Sequence, residues 1–253
     1  MKESKLVIIT GASSGIGEAF AKKLSSEHYD TVLVSRNRDK LDGLAENLKN
    51  TYGTSPIVLA RDLSNPQGLA EISEFISRRD DVAGLVNSAG FGTYGHFSSV
   101  DIEKSLNMIN LHVVAPTCLS KVVLPKMSEG GFIINVSSLA SLILTPGRVV
   151  YGGTKSYLNE FSRSLQEEVR DKGIVVQALC PGFTHTNFHN TEEYDFQKPK
   201  IPSWLWMSAD QVVERSLKAL GKKVVYVPGL KNRILCRLMN SPLTGLIKLL
   251  KKK

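Results

Sequence analysis

Cysteine is scarce in this chain of 253 residues, which has only Cys118, Cys180 and Cys236. The three are far apart, odd in number and set among apolar neighbours, unlike a disulfide framework or a cysteine metal site. We interpret them as thiols in a reducing compartment. The apolar run near the N-terminus is too short for the hydrophobic region of a secretory signal, and no uninterrupted apolar segment is long enough to span a bilayer. We therefore expect a cytoplasmic protein.

Acidic residues are missing from the last part of the chain. From Arg215 to Lys253 there are eleven Lys or Arg and no Asp or Glu, whereas residues 1–214 carry twenty-one basic against twenty-four acidic residues. The formal net charge of +8 therefore belongs to the C-terminal segment. Because no base-reading module accompanies this basic tail, we expect no nucleic-acid partner.

Linkers, low-complexity tracts and internal repeats are also lacking, which favours one domain. Short hydrophobic, β-branched runs instead alternate with longer amphipathic stretches. The runs are KLVIIT, DTVLVSR, SPIVLARD, DVAGLVNSAG, GFIINVSS, GIVVQALCPG and KVVYVPG. Near-continuous hydrophobic strands separated by helices predict a doubly wound α/β fold, with about seven parallel strands and helices on both faces.

The first predicted strand leads through the glycine-rich turn TGASSGIG into a helix. Glycines let the backbone turn tightly and approach a ligand, and the helix N-terminus offers unpaired N–H groups and a positive dipole end to a phosphate. The turn predicts a dinucleotide site, although a glycine-rich turn without a ligand is the alternative. Its candidate contacts are Gly11, Ser13, Ser14, Gly15, Ile16 and Gly17.

The second predicted strand ends at Ser35 and Arg36 without an acidic residue. A carboxylate at this place commonly accepts the ribose hydroxyls of NAD, whereas an arginine pairs with the 2′-phosphate of NADP. Arg36, assisted by Arg38, therefore favours NADP(H) over NAD(H). The alternative is that both arginines are solvated residues at a helix start.

The next two predicted strands end in residues that a buried sheet does not require. They are Asp62 and Leu63 after the third strand and Asn87, Ala89 and Gly90 after the fourth. Ligands of open α/β sheets bind at this carboxyl edge, so we predict cofactor contacts there. Asp62 is equally well explained as a cap for the helix that begins near Pro66, or for a turn before it.

Tyr151 and Lys155 are four residues apart in VVYGGTKSYLNEF. On a helix they share one face, so the ammonium can lie near the phenol or near a ligand that both touch. A nearby cation favours the phenolate and so lowers the pKa of the phenol from its ordinary value of about 10. The spacing alone leaves open that the pair is an exposed feature of the helix surface.

Taken together and in this order, TGASSGIG, NSAG, Ser138 in INVSSLAS, and YGGTK resemble the short-chain dehydrogenase/reductase family. The resemblance covers about residues 5–228, although Ser88 stands where a second asparagine is usual. It implies a single Rossmann-type catalytic domain at 1–228, a nicotinamide dinucleotide, and hydride transfer to or from a carbonyl or hydroxyl carbon. A non-catalytic dinucleotide-sensing or scaffold protein is the alternative.

The same resemblance implies roles for individual residues. Tyr151 is the general acid of reduction and the general base of oxidation. Lys155 lowers its pKa and holds the nicotinamide ribose. Ser138 hydrogen-bonds the substrate oxygen, and Asn110 supports a proton-relay water beside the lysine. A homodimer or homotetramer would form through the long helices that carry Asn110 and Tyr151.

The resemblance also assigns the stretch PGFTHT to contacts with the nicotinamide carboxamide. The residues concerned are Pro181, Gly182, Thr184 and Thr186. His185 and His189 nearby form no recognised ligand set, and hydride transfer needs no metal, so we predict no metal site.

The irregular segment at about 183–210 is rich in aromatic and apolar residues. They are Phe183, Phe188, Tyr194, Phe196, Trp204, Leu205, Trp206 and Met207. A loop of this length is usually functional, and it predicts an apolar lid over a lipophilic carbonyl substrate. The alternative is that its tryptophans pack the loop onto the domain.

Residues 229–253 form a predicted basic amphipathic extension. The apolar residues on one helical face are Leu230, Ile234, Leu235, Leu238 and Met239, with the cations mostly elsewhere. A segment of this kind can lie on an anionic membrane. The alternative is a C-terminal helix packed on the domain or in a subunit interface.

Overall fold

The computed structural model describes residues 5–186, 188 and 201–239. Its centre is a seven-stranded parallel sheet with the order β3-β2-β1-β4-β5-β6-β9, which confirms the predicted doubly wound fold. The strands are β1 (Leu6–Thr10), β2 (Asp30–Ser35), β3 (Ile57–Ala60), β4 (Val82–Asn87), β5 (Phe132–Val136), β6 (Val175–Leu179) and β9 (Val225–Tyr226). The short strands β7 (Thr184–His185) and β8 (Met207–Ser208) form a separate parallel pair.

Helices cover both faces of this sheet. They are α1 (Gly15–Ser26), α2 (Arg38–Tyr52), α3 (Pro66–Ser77), α4 (Ile102–Ile109), α5 (Ala115–Val123), α6 (Val149–Val169), α7 (Ala209–Ala219) and α8 (Leu230–Met239). Val7 and Ile9 of β1 pack in one core with α1, α2 and α7, whereas Leu6 and Ile8 pack in a second core with α3, α5 and α6. Burial on both faces is the reason why the strand sequences are almost continuously apolar.

The long helix predicted around Asn110 is interrupted by a π-helical segment, Asn110–Val114. There the Ala115 N–H donates to the Asn110 carbonyl, five residues back. Pro116 has no N–H for the His112 carbonyl and its ring crowds that carbonyl, which favours such a local change of pitch. Ile102–Lys126 is long and apolar enough to cross a membrane by length and composition, but in this fold α5 packs against α3 and β4.

The last described helix, α8, is anchored on the domain near its start. Asn232 is buried, and its side-chain Nδ2 donates to the Pro228 carbonyl at 2.9 Å. A Cβ on Gly182 would lie only 2.7 Å from the Asn232 Oδ1 atom, so α8 comes directly against the segment that follows β6. Residues on the two sides of the predicted boundary at 228 therefore pack together, and the division into a domain and an extension stays a prediction.

Candidate active site

The carboxyl ends of the strands open into one cleft of about 740 Å³. It lies where the chain reverses its direction across the sheet between β1 and β4, the usual ligand position in open α/β sheets. Most of the predicted site residues line it, namely Gly11, Ser13, Ser14, Gly15, Ile16, Arg36, Asp62, Leu63, Ala89, Gly90, Ser138, Tyr151, Lys155, Pro181, Gly182, Thr184 and Thr186. Gly17, Asn87 and Asn110, which the structure also describes, are not among its lining residues.

The glycine-rich turn has no room for a side chain at Gly11 or Gly17. Gly11 has a φ of +68°, and a Cβ there would lie 2.8 Å from the Ala89 backbone. A Cβ on Gly17 would lie 2.3 Å from the Gly11 carbonyl oxygen, so Gly17 lets α1 start beside the turn although it does not line the cleft. The result is a bare backbone cradle at a helix N-terminus, which fits the pyrophosphate of a dinucleotide.

Thr10 was not singled out from the sequence, yet it joins two strand ends below this cradle. Its Oγ1 atom accepts hydrogen bonds from the backbone N–H groups of Ser88 and Ala89, both at 3.0 Å. Asn87 is equally structural, because its Nδ2 donates to Asn135 Oδ1 at 2.8 Å and so links β4 to β5. The amide is buried within the sheet, and the predicted cofactor contact of Asn87 stays a prediction.

The outer end of the cleft carries Arg36 and Asp62. The Arg36 side chain is 75% exposed, and its Nη1 lies 3.9 Å from Asp62 Oδ2. Asp62 Oδ1 accepts from the backbone N–H of Ser64 at 2.9 Å and from its hydroxyl at 2.7 Å, so Asp62 holds the turn before α3, as one alternative predicted. Arg38 pairs with Asp42 on α2 and does not line the cleft. Only the first of the two predicted arginines therefore faces the site.

The deep end of the cleft holds Ser138, Tyr151 and Lys155. Tyr151 and Lys155 lie on the first two turns of α6 and are 7% and 5% exposed, so the alternative of an exposed pair is wrong. Ser138 follows β5 and lines the cleft beside Tyr151, whose charged form it favours. The Lys155 Nζ donates to the Val136 carbonyl at 2.9 Å and lies 5.9 Å from the centre of the Tyr151 ring. The three side chains therefore share one desolvated region.

Burial dominates the proton affinities at the deep end. It raises the pKa of Tyr151, against the opposing effects of the Ser138 hydrogen bond and the Arg148 charge. It lowers the pKa of Lys155 to about 7, an effect that the Cys180 thiol opposes. In the protein without a bound cofactor, the pKa of Tyr151 is therefore raised and not lowered as expected. Desolvation disfavours both the phenolate of Tyr151 and the ammonium of Lys155. At neutral pH Tyr151 carries its proton and can donate it.

His112 is a buried residue that the sequence reasoning missed. Its Nε2 accepts from the Phe91 backbone N–H at 3.2 Å, and its Nδ1 lies 3.1 Å from Thr154 Oγ1, which in turn donates to the Tyr151 carbonyl at 2.9 Å. Burial, followed by the Lys155 charge, lowers the pKa of His112 well below its ordinary value. Because Nε2 accepts, the hydrogen bonds assign the proton to Nδ1. A neutral His112 thus connects the loop after β4 to helix α6.

Asn110 stands at the start of the π-helical segment, but its side chain does not face the cleft. Its Nδ2 donates to the Ser64 carbonyl at 3.4 Å, on the side of α3. The predicted role of this position, the support of a water beside Lys155, therefore stays a prediction.

The apolar wall of the cleft comes from two parts of the chain. Phe183 and Phe188 line it as predicted, and Phe188 lies 5.9 Å from Tyr151 between ring centres. Leu235 and Met239 of α8 also line it, which the sequence did not indicate. The aromatic Tyr194 and Phe196, like His189, lie outside the described residues.

The two tryptophans of the 183–210 segment have different surroundings. Trp206 packs on Phe183 and His185, with ring centres 5.5 and 4.9 Å apart, as the packing alternative predicted. Trp204 is 56% exposed. This region therefore combines packing contacts with an apolar contribution to the cleft.

Sequence comparison relates the chain to a known family. Residues 5–195 match the family model of short chain dehydrogenases. The chain is 31% identical over 198 residues to a very-long-chain 3-oxoacyl-CoA reductase of Anas platyrhynchos, covering 76% of this chain and 64% of that protein. It is 29% identical over 252 residues to the inactive hydroxysteroid dehydrogenase-like protein 1 of Homo sapiens, covering 83% and 76%. The chain thus spans less than two thirds of the length of the first relative.

Solved structures give the same result over almost the whole chain. A short-chain dehydrogenase from Sphingobium yanoikuyae in complex with NADPH superposes with a TM-score of 0.82 at 29% identity, covering 96% of this chain and 95% of that one. The bulky-bulky ketone specific alcohol dehydrogenase from Comamonas testosteroni superposes with a TM-score of 0.81 at 26% identity, covering 98% and 95%. The chain belongs to the short-chain dehydrogenase/reductase family of oxidoreductases, with an NAD(P)-binding Rossmann fold.

Proposed function

We propose that this protein transfers a hydride between NADP(H) and the carbonyl or secondary alcohol carbon of a lipophilic substrate. The observation that carries the proposal is the buried group of Ser138, Tyr151 and Lys155 at the deep end of a cleft. The outer end of the same cleft offers a bare glycine cradle for a pyrophosphate. A proton donor and a dinucleotide cradle in one cleft are what such a reaction requires.

The proton is supplied by this chain's own residues. A nicotinamide bound here would supply or accept the hydride at the substrate carbon. In the reducing direction the carbonyl oxygen gains negative charge, and the hydroxyls of Tyr151 and Ser138 stabilise it more strongly in the transition state than in the ground state. Tyr151 donates the proton, and in the oxidising direction it takes the proton back. Lys155 Nζ, which is held by the Val136 carbonyl, would hold the nicotinamide ribose of a bound cofactor.

NADP(H) is favoured by the charges at the outer end of the cleft. Arg36 directly follows β2 at the cleft rim, and no carboxylate stands at that strand end. A guanidinium accommodates a 2′-phosphate through charge-assisted hydrogen bonds, whereas the ribose hydroxyls of NAD need an acceptor. The NADPH complex of the similar Sphingobium yanoikuyae enzyme is consistent with this preference.

A lipophilic substrate is favoured by the apolar wall of Phe183, Phe188, Leu235 and Met239. The similar proteins point the same way, since they include a very-long-chain 3-oxoacyl-CoA reductase and a bulky-bulky ketone specific alcohol dehydrogenase. We propose 3-oxoacyl thioesters, bulky ketones and oxosteroids as the compounds to test first.

The decisive assay measures cofactor oxidation with this panel, using NADPH and NADH in parallel. We expect turnover of at least one bulky carbonyl compound with a clear preference for NADPH. A preference for NADH would overturn the role given to Arg36. NADPH binding without turnover of any compound would instead support the non-catalytic alternative. The similarity to an inactive hydroxysteroid dehydrogenase-like protein is the reason to test that alternative. The presence of the Tyr151 proton donor favours catalysis.

A homodimer or homotetramer is also part of the proposal. Exposed apolar side chains lie on the adjacent helices α4 and α6, among them Ile102, Leu106 and Tyr157. Burying them against a second copy removes apolar area from water, so we expect light scattering to show at least a dimer and Leu106→Arg to shift it toward monomer. A monomeric wild-type protein would contradict this.

The remaining proposals concern place and partners. We propose a cytoplasmic enzyme without a nucleic-acid partner, whose basic C-terminal segment is available to an anionic membrane. Free thiols support the cytoplasm, since Cys118, Cys180 and Cys236 form no disulfide. Cell fractionation would test it, and recovery from an oxidising compartment would contradict it.

A further inference from the structure

Helix α8 has two apolar faces with different surroundings. Its inner face is anchored by the buried Asn232 and places Leu235 and the 43% exposed Met239 at the cleft. Its outer face carries Leu230, Ile234 and Leu238, which are 63%, 47% and 60% exposed. Because residues four apart lie on the same side of a helix, these three form one continuous outer stripe. We call it the outer stripe of α8.

Cations and an aromatic ring flank the outer stripe. At 100° per residue, Lys231 falls on one side of it and Arg237 on the other. The Lys231 Nζ lies 5.5 Å from the centre of the exposed Trp204 ring, so the aromatic group belongs to the same surface. An apolar stripe between cations, with a tryptophan beside it, is typical of helices that lie in the head-group region of a bilayer.

The charge of this part of the chain indicates what binds to the outer stripe of α8. Between Arg215 and Lys253 there are eleven Lys or Arg and no Asp or Glu. An anionic lipid surface attracts such a segment by about 1 kcal/mol for each cation close to the surface. A second copy of the chain that met this surface through the same face would bring like charges together, which is unfavourable. Charge complementarity therefore favours lipid over self-association.

We propose that α8 docks on an anionic phospholipid bilayer with Leu230, Ile234 and Leu238 immersed in it. Leu235 and Met239 of the same helix line the cleft, so the docked enzyme presents the mouth of the cleft to the lipid. A lipophilic carbonyl compound then passes from the bilayer along α8 to Tyr151 without crossing water. Docking stands on the outer stripe alone, whereas substrate delivery rests on the proposed function.

The first experiment is flotation of the full chain with vesicles, which needs no turnover. We expect the wild-type protein to float with vesicles of phosphatidylcholine and phosphatidylserine at about 7:3, and at least fivefold less with pure phosphatidylcholine. The triple variant Leu230→Ser, Ile234→Ser and Leu238→Ser should lose at least fivefold of the vesicle-bound fraction. These side chains are exposed, so the change should leave the fold intact, as an unchanged unfolding midpoint would confirm.

A pair of charge variants provides the matched comparison. Lys231→Ser with Arg237→Ser removes two cations beside the outer stripe, whereas Lys49→Ser with Lys172→Ser removes two exposed cations elsewhere. Only the first pair should weaken flotation by more than about twofold, since the attraction falls off within a Debye length. Equal loss in both would mean net charge alone is responsible and would overturn docking through α8.

The second experiment measures delivery. With a bulky ketone dissolved in the vesicles, turnover by wild-type enzyme should exceed that of the triple serine variant at least fivefold, while both should turn over a short, water-soluble ketone equally. Wild-type protein that stays in solution, or a triple variant that floats equally well, would overturn the proposal. So would light scattering in which the triple variant alone loses a subunit, because a second copy would then cover the stripe. Absence of all turnover would contradict the proposed function but not the docking.

Discussion

The two ends of the cleft differ in how far they are removed from water. At the deep end Tyr151 and Lys155 are 7% and 5% exposed, and the Lys155 Nζ is held by a hydrogen bond to the Val136 carbonyl. At the outer end the Arg36 side chain is 75% exposed, and its nearest acidic oxygen, on Asp62, is 3.9 Å away. The two ends are parts of one site but obey different electrostatics.

This difference indicates what each end can contribute. In a desolvated region a single hydroxyl or amine has a large effect, because no water competes for its hydrogen bonds. At an exposed rim a charge is screened, so it biases the choice between cofactors without supplying the chemistry. Changes at the deep end should therefore cost turnover, and changes at the outer end should alter cofactor preference.

The largest effect is expected for Tyr151→Phe. This change removes the proton donor and leaves the ring in place, so turnover should fall by about 10²- to 10⁴-fold. The NADPH dissociation constant, measured by cofactor fluorescence, should stay within about twofold of the wild-type value, because the glycine cradle is untouched. Near-normal kcat in the purified variant would remove Tyr151 from its assigned role.

Arg36→Glu should change cofactor choice by a smaller factor. A hydrogen bond to a charged group contributes about 1.5–3 kcal/mol, which corresponds to roughly a 10- to 100-fold lower kcat/KM for NADPH. The value for NADH should not fall, because NADH lacks the 2′-phosphate. Arg38→Glu is the matched control, since Arg38 pairs with Asp42 away from the cleft. Equal losses in both variants would show that net charge, not Arg36 itself, matters.

His112→Leu should lower kcat by about tenfold. It leaves the Phe91 N–H without its acceptor, and an unpaired buried donor costs about 1–3 kcal/mol. His112→Gln retains an acceptor and a donor and should restore most of the activity. The rates are measured well below the unfolding temperatures of both variants, so that a loss of activity can be separated from a loss of folding. Full activity of the leucine variant would show that the link to α6 is dispensable.

The smallest expected effect is the pH dependence of stability that Lys155 causes. Its pKa is about 7 in the folded protein and about 10.5 without burial. Between these values the unfolded chain binds the proton and the folded chain does not, so stability rises with pH. From pH 7 to 9 the wild-type Tm should gain about 5 °C over that of Lys155→Met. Parallel curves for the two proteins would mean that the lysine is not desolvated.

Features that depend on neighbouring residues could be predicted from the sequence better than features that depend on tertiary contacts. The seven strands and the turn from Thr10 to Gly17 follow from runs of neighbouring residues, and the sheet confirms them. The positions of Tyr151 and Lys155 followed from one helical turn. Their burial, which raises the pKa of Tyr151 instead of lowering it, could not be read from that spacing.

The features that were missed depend on distant segments coming together. His112 acquires its partners only because the loop after β4 and helix α6 meet above the π-helical segment. Leu235 and Met239 reach the cleft because Asn232 packs on Gly182, fifty residues earlier in the chain. The sequence pattern of α8 showed that it is amphipathic but not which face would be covered.

The most direct test of the central claim is the fate of the cofactor hydrogen. NADPH in which both hydrogens at C4 of the nicotinamide are replaced by deuterium is oxidised in ordinary water with a carbonyl compound that the panel identifies. The product alcohol is then analysed by mass spectrometry. We predict one deuterium on the carbinol carbon and none on the exchangeable hydroxyl. NADPH oxidation that yields an unlabelled alcohol, or no alcohol, would contradict direct hydride transfer at this site.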